Sequence, residues 1–268
     1  MDIHVENLVQ IWDDGGDGIV ALEGISHHFR SQKLTCVLGP SGCGKSTLVQ
    51  IVGGIETASG GTIRIVDPAR PGEVARPGER SVMMWQNLNL FPWRNVLDNV
   101  AFGLEMAGVP RRERYARAAE MIATVGLKGF EHKQCSQLSG GMRQRVALAR
   151  ALIMDQPILL MDEPFAALDA QTKIVMQEEL ARTFERTKKT ILFVTHAIDE
   201  AILLGDEVVV MTARPGRIKE VIPIDLPRPR SQDLINTPEF GAYFDRILHL
   251  IREEVLNAML QQNEAVDG

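Results

Sequence analysis

Cysteine is scarce in this chain, with three in 268 residues. Cys36, Cys43 and Cys135 are too few and wrongly spaced for a disulfide framework or a structural zinc site, so they read as small buried or loop residues in a reducing compartment. Long apolar runs are also missing. The longest, such as ILLM, ILFV and VVVM, are broken by charge or glycine within a few residues, far short of the ~20 that span a bilayer. The opening MDIHVENLVQ has neither the basic nor the apolar region of a secretory signal, and the chain is expected to stay in the cytoplasm. No excess of positive charge exists either. Lys and Arg number 29 against 35 Asp and Glu, and the net charge of −6 argues against a general nucleic-acid partner. With 45% hydrophobic and 24% charged residues and a mean hydropathy of −0.04, the chain suits a water-soluble protein that buries a large core, as one big domain or two unequal lobes.

Against these absences stands a glycine-rich loop. Gly39, Pro40, Ser41, Gly42, Cys43, Gly44, Lys45, Ser46 and Thr47 fit the pattern G-x-x-x-x-G-K-[ST]. A strand-like run, Leu34 to Leu38, precedes it and an apolar stretch, Leu48 to Val52, follows. Such a loop curls backbone N–H groups around phosphate oxygens, and the next helix aims its positive end at the same anion. Lys45 supplies a point charge for the outer phosphates and the Ser46 hydroxyl a ligand for Mg²⁺. The bland alternative is a chance glycine-rich turn, against which the strand and helix signals on either side count. The loop alone is shared by kinases, GTPases, helicases and other nucleotide-binding classes. Cys43, inside it, carries a hypothesis of its own: helix-terminal potential could favour its thiolate.

A second run, Ile158 to Met161, ends in Asp162 and Glu163 and reads as a buried parallel strand with carboxylates at its C-terminal end, where ligands of open α/β sheets sit. Asp162 is suited to the Mg²⁺ shell and Glu163 to polarising an attacking water. Alone, the pair reads equally well as a solvated loop after a core strand. Beside a phosphate loop the chemical reading leads. LSGGMRQR, Leu138 to Arg145, lies between the two in sequence.

On the phosphate loop, Gln86, Leu138 to Met142, Asp162 with Glu163, Asp169 in AALDA and His196 in FVTHAIDEA, in that order, the chain resembles the ATPase subunit of an ATP-binding cassette transporter. The resemblance covers most of the chain. It implies an α/β fold, a P-loop NTPase (RecA-like) core with an antiparallel β subdomain and an inserted α-helical subdomain. The implied cassette spans 1–230, with core 1–86 and 150–230, helical lobe about 87–149, and a C-terminal helical tail at 231–268. It also implies ATP and Mg²⁺, and a head-to-tail dimer in which ATP on one copy's loop is capped by Ser139, Gly140 and Gly141 of the other. Gln86 would touch Mg²⁺ and the water, His196 the γ-phosphate, and Asp169 would link the two sites. An early aromatic usually stacks on adenine, and Trp12 is the one aromatic before Phe29; core packing or a turn-flanking role is the open alternative. Met142 stands where many members carry glutamine, which leaves the neighbouring backbone geometry available.

Between these motifs, Thr62 to Val66 reads as an edge strand, Pro68 to Glu79 as a loop or irregular hairpin, and Val82 to Trp85 as the strand delivering Gln86. Within the helical lobe, Val96, Leu97, Val100 and Leu104 recur at helical spacing, and Pro110 opens a helix over Arg111 to Val125. The lobe receives a transmembrane partner in the family, so Leu88 to Trp93 is a candidate docking segment; the alternative is that Phe91 and Trp93 anchor the lobe to the core. Val208 to Met211 reads as a strand before the turn ARPGRI. In the tail, Thr237, Pro238 and Glu239 start a helix whose stripe, Phe240, Tyr243, Phe244, Ile247, Leu248, Ile251, Val255 and Met259, packs on the core or on a dimer neighbour.

FPWRNVLDNVAFGLEMAG, LSGGMRQRVALARAL and VVVMTARPGRIKEVIPIDLPRPR are similar to importer subunits of the nitrate, sulfonate and taurine type. That implies a peripheral subunit on the cytoplasmic face of the inner membrane, separate permease subunits and an external solute-binding protein. Two other classes stay open: a soluble cassette ATPase of DNA repair or translation, and a nucleotide sensor that does not hydrolyse. The chain lacks the second cassette or long coiled-coil insertion usual in the former, and Glu163 and His196 count against the latter.

Overall fold

The computed structural model describes residues 1–13, 15–16 and 18–267. Two long strands, β1 (Asp2–Trp12) and β2 (Ile19–Phe29), open the chain, followed by β3 (Leu34–Leu38), helix α1 (Lys45–Val52), β4 (Gly60–Asp67), β5 (Arg70–Ala75) and β6 (Ser81–Met84). Helices α2 (Val96–Met106), α3 (Arg111–Thr124) and α4 (Gly140–Leu152) come next. Then follow β7 (Ile158–Asp162), α5 (Ala170–Thr187), β8 (Thr190–Val194), α6 (Ile198–Leu204), β9 (Glu207–Met211), β10 (Ile218–Pro223) and the tail helix α7 (Pro238–Asp267).

The apolar runs seen in the sequence become the middle of a six-stranded sheet, in the order β10-β9-β3-β8-β7-β6. Every residue of β3, β7 and β8 is buried, the signature of strands covered on both faces. Because strand side chains alternate, each strand feeds two cores. Leu159, Met161, Ile191 and Phe193 face the layer containing α2 to α7, while Ile158, Leu160, Leu192 and Val194 face β1, β2, β4 and α1. β9, β3, β8, β7 and β6 run parallel, and β10 returns antiparallel along β9. A parallel sheet aligns the C-terminal ends of β3, β7 and β8, and so gathers the loops that follow them at one rim.

A second, antiparallel sheet has the order β2-β1-β4-β5. Here the expectation of an edge strand at Thr62 to Val66 is corrected: β4 pairs with β1 on one side and β5 on the other. The edge is β5, drawn from the Pro-, Gly- and Arg-rich segment read as a loop or irregular hairpin, and it returns antiparallel along β4 with a register shift, as the hairpin alternative has it; such composition suits a strand with one neighbour and solvent on the other side. α2, α3 and α4 form a helical lobe between β6 and β7, closed by Val96, Val100, Leu104, Ala118, Ile122, Val146 and Leu148 in the main core.

The tail helix divides its stripe. Phe240 and Ile247 are buried in the main core, and Tyr243, Phe244 and Ile251 pack against it, while Leu248 and Met259 are exposed. No described helix is long and apolar enough to cross a membrane. All three cysteines are buried and free. Away from the rim of the parallel strands, Asp2, His4 and His28 bring ligand atoms within 4.8 Å of one another, with Asp2 accepting the Ser31 N–H and the two imidazoles stacked at 4.1 Å.

Candidate functional site

Between β3 and α1 the chain must turn sharply, and Gly44 provides the turn at φ 96°, capping α1 in the left-handed region. A Cβ there would meet the Leu22 Cδ2 at 2.5 Å and the Ala21 carbonyl at 2.9 Å, so the loop is pressed against β2 and no side chain fits. Lys45, nearly inaccessible to solvent, folds into the loop and donates from Nζ to the carbonyls of Gly39 and Pro40, both at 2.8 Å. At the next residue, Ser46 Oγ donates to Asp162 Oδ1 at 3.0 Å, joining the start of α1 to the end of β7. Burial pushes the Asp162 carboxyl above its ordinary range; the Ser46 hydrogen bond and the Lys45 and His196 charges pull it back, and neighbouring Glu163 adds to the rise.

Glu163 follows at φ 49°, a left-handed conformation that a glutamate adopts under strain, of order 1–3 kcal/mol. The turn is held by its own N–H donating to the Val194 carbonyl at 3.0 Å, which fixes the β7 rim against β8. Its carboxylate is gripped from both sides. His196 Nε2 lies 2.7 Å from Oε1, and Gln86 Nε2 donates to Oε2 at 3.3 Å. These side chains and Trp12, Ser41, Gly42, Gly44, Lys45, Ser46 and Thr47 line one cleft of about 490 Å³. A larger hollow, about 580 Å³, lies near Arg117 and Lys189. Two of its cations are already engaged, Lys189 with the carbonyls of Met154 and Gln156 and Arg117 with Asp155, and none of the phosphate-loop residues lines it.

Gly39, Pro40 and Cys43 are buried at the back of the loop rather than in the cleft wall. The thiolate expected for Cys43 is corrected: burial pushes its thiol up, and the pull from Lys45, 3.8 Å from Sγ, only partly opposes that. Burial in the fold outweighs the helix-end potential because the charged form loses its water. Trp12 stands at the end of β1, exposed and on the cleft wall, which departs from core packing and is compatible with both the adenine-stacking and the turn-flanking readings.

Ser139, Gly140, Gly141 and Asp169 are not on that wall. Ser139 caps α4, accepting the Met142 N–H at 3.2 Å, and Asp169 caps α5, accepting the Thr172 N–H at 3.0 Å. The Asp169 carboxyl, stabilised first by that backbone hydrogen bond, is held below the usual carboxylate range. A Cβ on Gly140 would meet nothing within 4 Å, and one on Gly141 only an ordinary contact at 3.5 Å. Packing within the chain therefore does not require glycine at either position.

Sequence reasoning missed the braces of the site. Gln144, buried on α4, donates to the Pro164 carbonyl at 2.6 Å and accepts the Ala167 N–H at 2.8 Å, tying the LSGG helix to the turn after Glu163. The signal was present: Gln144 shares a helical face with Ala147, Leu148 and Ala151, an apolar stripe where an amide has to be satisfied. Behind His196, Thr195 Oγ1 donates to Glu200 at 2.5 Å and accepts the Ala197 N–H at 3.0 Å, and Lys173 of α5 pairs with Glu200 at 2.5 Å. Removing the Gln144 amide with Gln144→Ala strands the buried Pro164 carbonyl and releases the N–H of exposed Ala167. Stability should fall by about 1–3 kcal/mol in denaturant titration. ATP turnover should fall further than that loss explains, with ATP affinity retained.

A family model described as ABC transporter matches residues 22–166. An uncharacterized ABC transporter ATP-binding protein of Methanocaldococcus jannaschii is 48% identical over 96% of this chain and 94% of its own length. A taurine import ATP-binding protein of Escherichia coli is 41% identical, covering 92% of this chain and 94% of that protein. A nitrate import ATP-binding protein of Synechocystis is 39% identical, with 94% and 96% covered. Among solved structures, an ATP-binding cassette dimer in a post-hydrolysis state, bound to ADP and Pi, superposes with a TM-score of 0.74 at 28% identity, over 84% of this chain and 100% of the other.

Proposed function

The chain belongs to the ATP-binding cassette transporter family, and from that premise we propose that it drives uptake of a small solute by hydrolysing ATP in pockets shared between two copies. It is an ATPase of the importer type, with the P-loop NTPase fold. The reading of its site rests on one observation: Glu163, on a strained turn, is aimed by His196 and Gln86 into the cleft that holds Lys45 and Ser46.

The residues present fit ATP with Mg²⁺. Lys45 sits at the centre of a glycine cradle, and a hydroxyl and a carboxylate oxygen lie 3.0 Å apart at Ser46 and Asp162, the hard donors that Mg²⁺ prefers. Ser46, Asp162 and Gln86 would hold the ion, which would supply charge neutralisation at the phosphates. Lys45 exchanges its loop carbonyls for the outer phosphates. Glu163 accepts a proton from the attacking water, Gln86 and His196 keep its carboxylate oriented, and His196 is assigned a further contact to the γ-phosphate. Trp12 offers its indole face to the base.

Closure of the pocket is assigned to a second copy. Gly140 and Gly141 are free of any intrachain requirement for glycine, yet begin a helix whose N-terminus suits an anion; close approach by a partner's triphosphate accounts for both facts. Asp169, exposed at the start of α5, stands as the link to that partner.

Coupling to a permease is assigned to the helical lobe. Phe91 is anchored there, edge-on to Phe102 at 4.5 Å with its N–H on Asn99, whereas neighbouring Trp93 is 74% exposed. The two alternatives for this segment thus divide between the two rings: Phe91 anchors and Trp93 docks. Trp93→Ala should leave the melting temperature within about 2 °C and ATP turnover of the free chain unchanged. Co-purification with permease should fall at least about tenfold, as for loss of an exposed aromatic anchor. Undiminished permease binding would reject the docking role.

The transported solute is proposed as an anion of the nitrate, sulfonate or taurine type, delivered outside by a solute-binding protein while this chain stays on the cytoplasmic face of the inner membrane. Vesicles carrying the chain with its permease, offered taurine, an alkanesulfonate and nitrate with binding protein, should accumulate one of them when ATP is supplied. ATP hydrolysis without uptake of any would overturn the anion assignment.

A further inference from the structure

Arg214 stands on the turn between β9 and β10 and lines the same cleft as Trp12, Lys45 and Ser46. Its guanidinium donates to the Gly42 carbonyl from Nε at 3.4 Å and Nη2 at 3.3 Å, long contacts that use part of a five-donor fork. The side chain is otherwise exposed at the mouth of the phosphate loop.

The turn that carries it is pinned from two directions. On the β2 side, the Gly216 N–H donates to the Ala21 carbonyl and the Glu23 N–H to the Gly216 carbonyl, each at 3.0 Å. On the other side, the Ala213 N–H donates to Glu254 Oε2 at 2.8 Å, and Glu254 Oε1 accepts from Lys219 Nζ at 2.7 Å. Glu254 belongs to α7 and is 6% exposed, so a buried carboxylate of the tail helix grips the residue next to Arg214.

We propose that Arg214 is a second phosphate-binding cation of the nucleotide pocket and that Glu254 is its positioning residue, making the tail helix a part of the ATP site. The inference rests on the nucleotide reading of the cleft. A planar guanidinium matches phosphate oxygens in two-pronged fashion, whereas the carbonyl of Gly42 is a neutral acceptor at long range. An arriving triphosphate is therefore the better partner, and the guanidinium needs no backbone movement to meet it. Glu254 acts at one remove: it orients the Ala213 peptide, and through it the Cα of Arg214.

ATP affinity, measured by calorimetry on the full-length chain in a Glu163→Gln background so that ATP persists, provides the test. Arg214→Ala should weaken ATP binding by about 10- to 100-fold, the worth of a charge-assisted hydrogen bond. Arg214→Gln keeps a donor for Gly42 but removes the charge; it should lose as much, and Arg214→Lys should recover part. Glu254→Ala should weaken binding at least about threefold in singly substituted protein and add nothing when Arg214 is already Ala. Glu254→Gln, which still accepts the Ala213 N–H, should bind as the parent does and guards against a folding defect. Unaltered affinity in Arg214→Gln overturns the phosphate role, and additive losses overturn the positioning role. Lys45→Ala separates this from the larger claim: if it too binds ATP normally the nucleotide reading fails, whereas loss in Lys45→Ala alone sinks only the assignment of Arg214.

Discussion

Glu163→Gln is expected to lower ATP turnover by about 10²- to 10⁴-fold, the usual worth of a positioned general base, while ATP affinity holds or tightens. An amide is nearly isosteric with the carboxylate, and the strained turn at φ 49° is fixed by the Glu163 N–H to Val194, which the substitution leaves in place. What disappears is the capacity to accept a proton from water. His196 and Gln86 would then hold a neutral group, so the site remains assembled but inert. Phosphate release and equilibrium ATP binding measure the two halves separately. Equal loss of both would mean that Glu163 supports binding rather than proton transfer. The same protein should convert from monomer to dimer on addition of ATP in light scattering, because the clasped state is no longer relieved by hydrolysis.

The second large effect concerns the sharing of pockets. Lys45→Ala removes the cation that reaches the outer phosphates, and Ser139→Arg fills the approach that Gly140 and Gly141 leave open, so each variant alone should be inactive. Mixed in equal amounts, about half of randomly formed dimers pair the two variants, and each of those has one undamaged pocket of two. Activity should return to about a quarter of the unmodified level. A pocket complete within one chain predicts no return at all, since every copy in the mixture is damaged. The geometry already separates these residues: Lys45 lies in the cleft with Glu163, and Ser139 does not.

The site was legible to different depths. Lys45, Ser46, Asp162 and Glu163 announce themselves because each lies next to its own structural cause: a strand run, a glycine turn, a helix start. β3 was bounded correctly at Leu34–Leu38 and β7 to within a residue, for the same reason, as strands buried on both faces leave unbroken apolar runs. Strand order is another matter. Thr62 to Val66 resembled an edge because its polar residues alternate, but β5 covers that edge, and nothing local records which segment returns to pair with β4. Cys43 was misjudged for a related reason: the helix-end potential can be read from its position, while its burial is decided by β2 and β9 packing over the loop.

The sequence by itself determined the family and pointed to the proposed chemistry, because phosphate cradling, metal ligation and base catalysis each need particular residue types at short fixed spacings. Tertiary structure decided what holds those groups still. Gln144 reaches the turn after Glu163, Lys173 and Glu200 brace the strand end before His196, and Glu254 of the last helix grips the peptide beside Arg214 at the phosphate loop. Those contacts join residues from 20 to 41 positions apart, and no local pattern encodes them: a hydrogen bond between distant segments exists only once the sheet and both cores have brought its partners together.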